Sequence, residues 1–186
     1  MAVNTDQLVF VRELKIQTNS FQFYIYSALE HDVENVFIDA LADAHGSRRF
    51  IGAAGPGGFI DVMTPSQWNW DIPMRVELWA SEPPTDADAW DHEVDIDFTV
   101  PADNHRVLFE ASGGHAATDI EIPPGDYRAR ISGSGYDASW TAHTETRAGT
   151  ESFRMRLWLR ERASVPALRK SWPGFDRYPE WVDYRR

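Results

Sequence analysis

Residues 92–100 read His-Glu-Val-Asp-Ile-Asp-Phe-Thr-Val, and this alternation constrains the fold more than any other stretch of the chain. Side chains along a strand point in turn to opposite faces, so Val94, Ile96 and Phe98 make an apolar face and Glu93, Asp95, Asp97 and Thr99 a polar one. The same period predicts strands at Phe21–Tyr26, Phe59–Val62, Met74–Trp79, Arg106–Ala111, Thr118–Ile122 and Tyr127–Ile131. In Phe153–Leu159, Phe153, Met155, Leu157 and Leu159 alternate with Arg154, Arg156 and Trp158, which predicts a half-buried strand with a basic outer edge.

Turn-forming residues separate these segments. Pro123-Pro124-Gly125-Asp126 is a compact turn, since proline fixes φ and glycine accepts positive φ. Longer breaks fall at 52–58, 81–91, 111–117, 133–149 and 171–186. Helical signals are few: Glu30–Ala44 reads as a short helix in which Val36-Phe37-Ile38 fits a strand equally well, and Ala163–Lys170 as another interrupted by Pro166. Many short strands between Gly, Pro and Asp turns predict an all-β fold, an antiparallel β-sandwich of about eight to ten strands with one or two short helices. No internal repeat or long linker divides the chain, so residues 1–186 read as one domain, with 163–186 as an extension packed on it. Trp172, Phe175, Tyr178, Trp181 and Tyr184 make that tail too aromatic for a merely solvated terminus.

Charge restricts the function classes. The formal net charge is −11, which disfavours direct binding to nucleic acid or an anionic membrane and favours a basic partner. The imbalance is uneven: by sequence, residues 1–150 carry 24 acidic and 9 basic side chains and residues 151–186 carry 5 and 9. Absence of cysteine removes disulfides, thiolate catalysis and cysteine-ligated metal sites. No basic-then-apolar leader opens the sequence and no apolar run reaches membrane-spanning length, so a cytoplasmic location is expected.

The acidic excess is densest in residues 82–103, where Glu82, Asp86, Asp88, Asp91, Glu93, Asp95, Asp97 and Asp103 occur with no lysine or arginine. Repulsion among them is tolerable on a solvated face, or against a cation or a basic protein. A partner contact would use Asp88, Trp90, Asp91, Glu93, Asp95 and Asp97, with Trp90 as an aromatic anchor and Trp79 in the core. A calcium site would draw on Asp95 and Asp97 with Asp86, Asp88 or Asp91, although the EF-hand spacing is absent. The six histidines form no paired zinc motif, and neither a G-x-S-x-G elbow nor a phosphate-binding glycine loop occurs. A carboxylate dyad of glycosidase type stays open on composition alone. Arg154, Arg156, Arg160 and Arg162 are expected to pair with the excess carboxylates.

Three segments, Ser20-Phe21-Gln22-Phe23-Tyr24, Asp97-Phe98-Thr99-Val100-Pro101 and Ile122–Arg130, give residues 20–160 a likeness to a known group. The chain resembles the bacterial competence-associated nuclease inhibitors and related small β-sandwich proteins. That resemblance implies a β-sandwich that binds and inhibits a nuclease and has no catalytic residues of its own. The expectation is therefore a non-catalytic acidic binding or inhibitory protein without a cofactor. The alternative is a carboxylate-based metal-binding domain or metal-dependent hydrolase.

Overall fold

The structure is a computed structural model that describes residues 7–27, 33–55, 57–113, 115–144 and 147–177. Its strands are β1 (Leu8–Asn19), β2 (Gln22–Tyr26), β3 (Ile51–Ala54), β4 (Phe59–Met63), β5 (Trp68–Trp79) and β6 (His92–Val100), followed by β7 (Arg106–Ala111), β8 (His115–Glu121), β9 (Gly125–Ser134), β10 (Ser152–Leu159) and β11 (Ala167–Lys170). Two helices, α1 (Val33–Gly46) and α2 (Tyr136–Thr144), complete the regular elements, with short 3₁₀ turns at Ala87–Ala89 and Pro173–Arg177.

Hydrogen bonding links the 11 strands in the order β11-β6-β9-β10-β5-β1-β2-β4-β3, with β7 between β2 and β8. The β1–β2 link consists of the single pair Asn19↔Gln22, across a turn in which Ser20 and Phe21 both have positive φ. Beyond that hinge β2 pairs with β4 and β7, so the sheet folds over into two layers, β11-β6-β9-β10-β5-β1 and β3-β4-β2-β7-β8. One core receives both inner faces: Met74, Val76, Val94, Ile96, Phe98, Ala129, Ile131, Met155 and Leu157 from the first, and Phe23, Ile25, Ile60, Val62, Val107, Phe109 and Ile120 from the second. The all-β expectation holds, and the sheet is mixed rather than purely antiparallel because β10 runs parallel to β5.

Four elements depart from the sequence reading. Strand β1 carries Phe10, Leu14 and Ile16 at even positions, but Arg12 interrupts the stripe and hides the period. The four residues of β3 lie partly in a segment read as a break. Helix α2 occupies the middle of the 133–149 break. Residues 167–170 form β11, paired with Glu93–Asp95, where a helix was expected; Pro166 and the pairing partner decide the conformation. Segment 33–46 is helical, which resolves the ambiguity at Val36–Ile38.

Helix α1 covers the outer face of the second layer. Gly52 makes this approach possible, because a Cβ there would lie 2.0 Å from the carbonyl oxygen of Ala40 and 2.4 Å from the amide of Ala44. Tyr24, Tyr26, Ala40 and Phe59 form a second apolar cluster beneath the helix, with Phe37 stacked on Tyr24. Asp61 lies across from both Tyr24 and Gly52 on this face. It is fully buried, and neither carboxylate oxygen has a hydrogen-bond partner.

The C-terminal segment closes the other end. Trp172 and Phe175 are buried against Tyr136, with Phe50 stacked on Phe175 at 3.8 Å between ring centroids. Gly133 leaves room for this cluster, since a Cβ there would fall 2.2 Å from the Tyr136 hydroxyl. His92, wholly buried at the start of β6, joins it to the body: Nε2 donates to the Arg49 carbonyl at 2.5 Å, and Nδ1 accepts the Trp172 amide at 3.4 Å. Tyr178, Trp181 and Tyr184, read as part of the same aromatic tail, lie outside the described residues.

Two buried groups give opposite pH dependences. Burial holds the His92 pKa down at about 4 against its ordinary 6.5. The unfolded chain therefore binds the extra proton first, and stability falls as pH drops from 6.5 toward 4, by about 3 kcal/mol over the window. Urea denaturation followed by tryptophan emission should show this loss, and His92→Gln should flatten it. Burial raises the Asp61 pKa well above the carboxylate range. Here the folded state keeps the proton longer, so stability present at acid pH is lost as pH climbs above the ordinary carboxylate value. Asp61→Asn should gain at least about 1 kcal/mol on the wild type between acid and neutral pH; parallel stability curves for the two proteins would show instead that the carboxyl is paired.

Candidate functional site

The outer face of the first layer is charged where a solvated sheet would be merely polar. Register places Asp95 opposite Arg130 and Asp97 opposite Arg128 between β6 and β9, and Arg130 opposite Arg156 between β9 and β10. The period that sends Val94 and Ile96 into the core thus puts their acidic neighbours against arginines of the next strand. Arg130 grips Asp95 with two bonds, Nε to Oδ1 at 2.6 Å and Nη2 to Oδ2 at 3.0 Å. From β11, Arg169 adds a third bond to Asp95 at 2.8 Å. Glu93 accepts from the Ser132 hydroxyl at 2.7 Å and from Arg156 at 3.3 Å. Asp97 accepts from Arg128 at 2.7 Å, from the Ser164 amide at 2.9 Å and from Arg160.

Segment 80–91 lies across this face and seals it. Asp86 accepts both terminal nitrogens of Arg154 and one of Arg156, each at 2.7 Å. The Pro84 carbonyl accepts from Arg156, and the Ala87 carbonyl from Lys170. Trp90 packs on the Arg154 guanidinium at 4.4 Å, a cation–π contact. Glu82 reaches back to Arg130 Nη2 at 2.8 Å. The network joins Arg128, Arg130, Arg154, Arg156, Arg160 and Arg169 to Glu82, Asp86, Glu93, Asp95, Asp97 and Asp126, six cations and six carboxylates.

At Asp86, Asp95, Arg130 and Arg156 burial works against the charged form, and at the first three the partners outweigh it. At Asp95 burial pushes the pKa up, but the hydrogen bonds and charges of Arg130 and Arg169 outweigh it and the pKa lies below the usual value. Asp86 is held down in the same way by Arg154 and Arg156. Burial also works against the Arg130 cation, and Asp95, Glu82 and Glu93 overcome it, raising its pKa. Arg156 is shifted down, by burial first and then by its neighbour Arg154. These ions stay charged because each is matched, and removal of one partner strands another in a low-dielectric site.

The six residues expected at a partner surface separate into two groups. Glu93 and Asp95 are 1% exposed and Asp97 is half-buried, so the acidic face of β6 is not solvated; it is satisfied by arginines of the same chain. Asp88 is exposed in the 3₁₀ turn. Trp90 is half-buried on Arg154, and Asp91 turns one oxygen to the Tyr136 amide at 3.0 Å, capping α2 beside the exposed Asp137. Trp79 is buried beside Trp158 on the outer face, and its Nε1 donates to Glu77 at 2.8 Å. The expectation that arginines of β10 and beyond pair with the acidic excess is met by Arg154, Arg156 and Arg160. Sequence reading missed Arg128, Arg130 and Arg169 as partners, although Arg128 and Arg130 alternate with apolar residues as Asp95 and Asp97 do.

Among the described residues, no three His, Asp or Glu side chains converge on a position that could hold a metal ion. The carboxylates that a calcium site would recruit, Asp86, Asp95 and Asp97, are bonded to arginine. No described histidine bonds a hydroxyl or a carboxylate: His92 is committed to backbone, and His105 bonds the Ala102 carbonyl. No described helix is long and apolar enough to cross a membrane.

Beside the sealed lattice an open cleft of about 480 Å³ is lined by Glu82, Asp95 and Glu161, by Arg128, Arg160, Arg162 and Arg169, and by Trp158 and Leu159. Comparison with known proteins places the architecture. No protein-family model matches the chain, and no curated protein sequence does. A solved structure of a protein named crocagin biosynthetic gene J matches with a TM-score of 0.51 at 14% identity, over 82% of this chain and 98% of the other. ComJ from Bacillus subtilis, described as an inhibitor of the DNA-degrading activity of NucA, matches with a TM-score of 0.49 at 15% identity, over 83% and 98%. The chain thus bears a faint structural resemblance to the crocagin protein. The likeness to the crocagin protein is one of fold.

The lattice predicts unequal responses from neighbouring acids. Glu93→Gln keeps the shape but leaves Arg156 short of a buried counter-charge, and should cost about 3 kcal/mol in chemical denaturation. Asp88→Asn, on the surface six positions after Glu82, should change stability by no more than about 0.5 kcal/mol. Equal effects would mean that the acidic face of β6 is not organised by its arginines.

Proposed function

We propose that this is a non-catalytic binding protein whose partner is a basic protein. The observation that carries the reading is the charge balance of the lattice. Because its six arginines cancel its six carboxylates, the formal charge of −11 belongs to the rest of the chain. A field of that size steers a cationic partner and repels nucleic acid. The face proposed for the contact contains Asp88, Trp90 and Asp91 with Asp137 at the start of α2, all on the side where the aromatic cluster is anchored. Glu93, Asp95 and Asp97 support it from below, by fixing the arginines to which segment 80–91 is tied. A nuclease is the partner class implied by the sequence likeness in residues 20–24, 97–101 and 122–130.

Titration calorimetry against a panel of purified basic nucleases, with a basic protein that cleaves nothing as control, tests the reading. One-to-one binding to a nuclease is expected, with inhibition of DNA cleavage and an affinity that falls about tenfold or more from low to high salt. Asp88→Asn should weaken it while leaving the denaturation curve in place; Asp137→Asn should weaken it too, but Asp137 Oδ1 also accepts from the indole of the buried Trp172, so its affinity is read against its own denaturation curve. Failure to bind any nuclease, or catalytic turnover of a substrate by the purified protein, would reject the proposal.

A further inference from the structure

The open cleft beside the lattice is lined by four arginines and by the carboxylates Glu82, Asp95 and Glu161, and behind Glu82 lies a further arginine, Arg130, whose guanidinium is incompletely used. Arg130 is 2% exposed. One edge of its guanidinium, Nε with Nη2, is filled by Asp95. The other edge, Nη1 with Nη2, has the spacing that a carboxylate matches with two parallel bonds. There, Nη2 meets a single oxygen of Glu82 at 2.8 Å, and Nη1 is buried with no acceptor. Glu82 lines the cleft, and its side chain is 58% exposed. A surface carboxylate with most of its area in water therefore half-fills a fork whose second donor is unsatisfied.

The cleft that Glu82 lines carries further cations for an acidic ligand. Arg162 and Arg169 stand on its wall; Arg162 has no ion pair or hydrogen bond among the described residues, and Arg169 is half exposed around its contact with Asp95. Arg160 also lines it, with Nε buried and unpartnered. Leu159 lines the cleft and is 61% exposed, and Val165 and Leu168, exposed by 83 and 43%, lie on the segment between Arg162 and Arg169. Strand β11 ends the sheet here and pairs on one side only, with β6. A small inorganic anion would use the guanidinium groups and leave the apolar rim and the strand edge bare. An extended acidic peptide uses all three.

We propose that this cleft binds an acidic peptide segment of a protein partner, one of whose carboxylates displaces Glu82 and completes the Nη1–Nη2 fork of Arg130. Arg162 and Arg169 hold further acidic side chains at the rim, and the exposed leucines and valine receive the aliphatic parts of the segment. Glu82 acts as an internal competitor for the site. The proposal does not rest on the basic-partner reading, which uses Asp88, Trp90, Asp91 and Asp137.

Fluorescence anisotropy with a labelled hexaglutamate peptide tests it, in about 0.15 M salt so that repulsion from the net negative charge is screened beyond roughly 8 Å. Binding is expected, strengthened about three- to tenfold by Glu82→Gln, which removes the competitor, and weakened about tenfold or more by Arg162→Glu. Both positions are on the surface, and urea denaturation of each variant confirms that the fold is retained. Inorganic phosphate at millimolar concentration should not displace the peptide. No binding to either the wild type or Glu82→Gln, an affinity indifferent to Arg162→Glu, or full displacement by phosphate would each overturn the proposal.

Discussion

Everything on the outer side of the first sheet layer depends on the pairing of β6 carboxylates with β9 and β10 arginines. Taking one such ion out of water costs several kcal/mol, so these strands can be covered only if each charge meets its counterpart as they assemble. The lattice meets that condition in two directions. Across the sheet Asp95 faces Arg130 and Asp97 faces Arg128, and above it Asp86 and the Pro84 carbonyl come down onto Arg154 and Arg156. The loop is part of the interior in the energetic sense, because removing it would expose one set of charges and leave another unmatched.

The same pairing fixes register. A slip of one residue in β6 would turn Val94 and Ile96 toward the arginines and bring Glu93 and Asp95 into the apolar core, where no counter-charge waits. Apolar burial alone penalises such a slip; charge complementarity penalises it from both faces at once. The parallel pairing of β10 with β5 fits this scheme, since it sets Arg156 across from Glu77 and Trp158 across from Trp79. At the far end of the sheet His92 does comparable work with neutral groups, donating through one ring nitrogen and accepting through the other, so that burial of the ring leaves no open valence.

Much of the fold was legible because a half-buried strand records its two environments in alternate residues. The segments centred on Val76, Ile96, Phe109, Ala129 and Met155 carry that record, whereas those at Ile25 and Ile60 are buried on both faces and read as strands from their aromatic and β-branched residues. Other elements were lost: β1 is broken by Arg12, β11 owes its strand conformation to β6, and α2 has little amphipathic contrast because Tyr136, Ser139 and Ala142 are the buried members of a mostly polar turn sequence. The acidic stretch was legible as a pattern but not as an environment. Alternation says that Glu93, Asp95 and Asp97 share a face, and the partners that decide whether the face is wet lie 35 residues away at Arg130 and 74 away at Arg169. The available signal was the matching period of Arg128 and Arg130, and of Arg154 and Arg156, in strands with the same apolar alternation.

Segment 80–91 therefore joins two surfaces of opposite character, and its ties are unequal. Asp86 receives three bonds from two arginines and is half-buried, whereas Glu82 receives one from Arg130 and lies mostly in water. An exposed ion pair contributes little, and a bidentate contact with restricted solvent contributes more. Loss of the Glu82 contact would leave Asp86, the Pro84 carbonyl and the packing of Trp90 on Arg154 in place, so the backbone that presents Asp88 would keep its position. The arrangement separates a fixed support from a replaceable side chain. That division allows the proposed exchange of one carboxylate for another at Glu82 without unsealing the lattice beneath it.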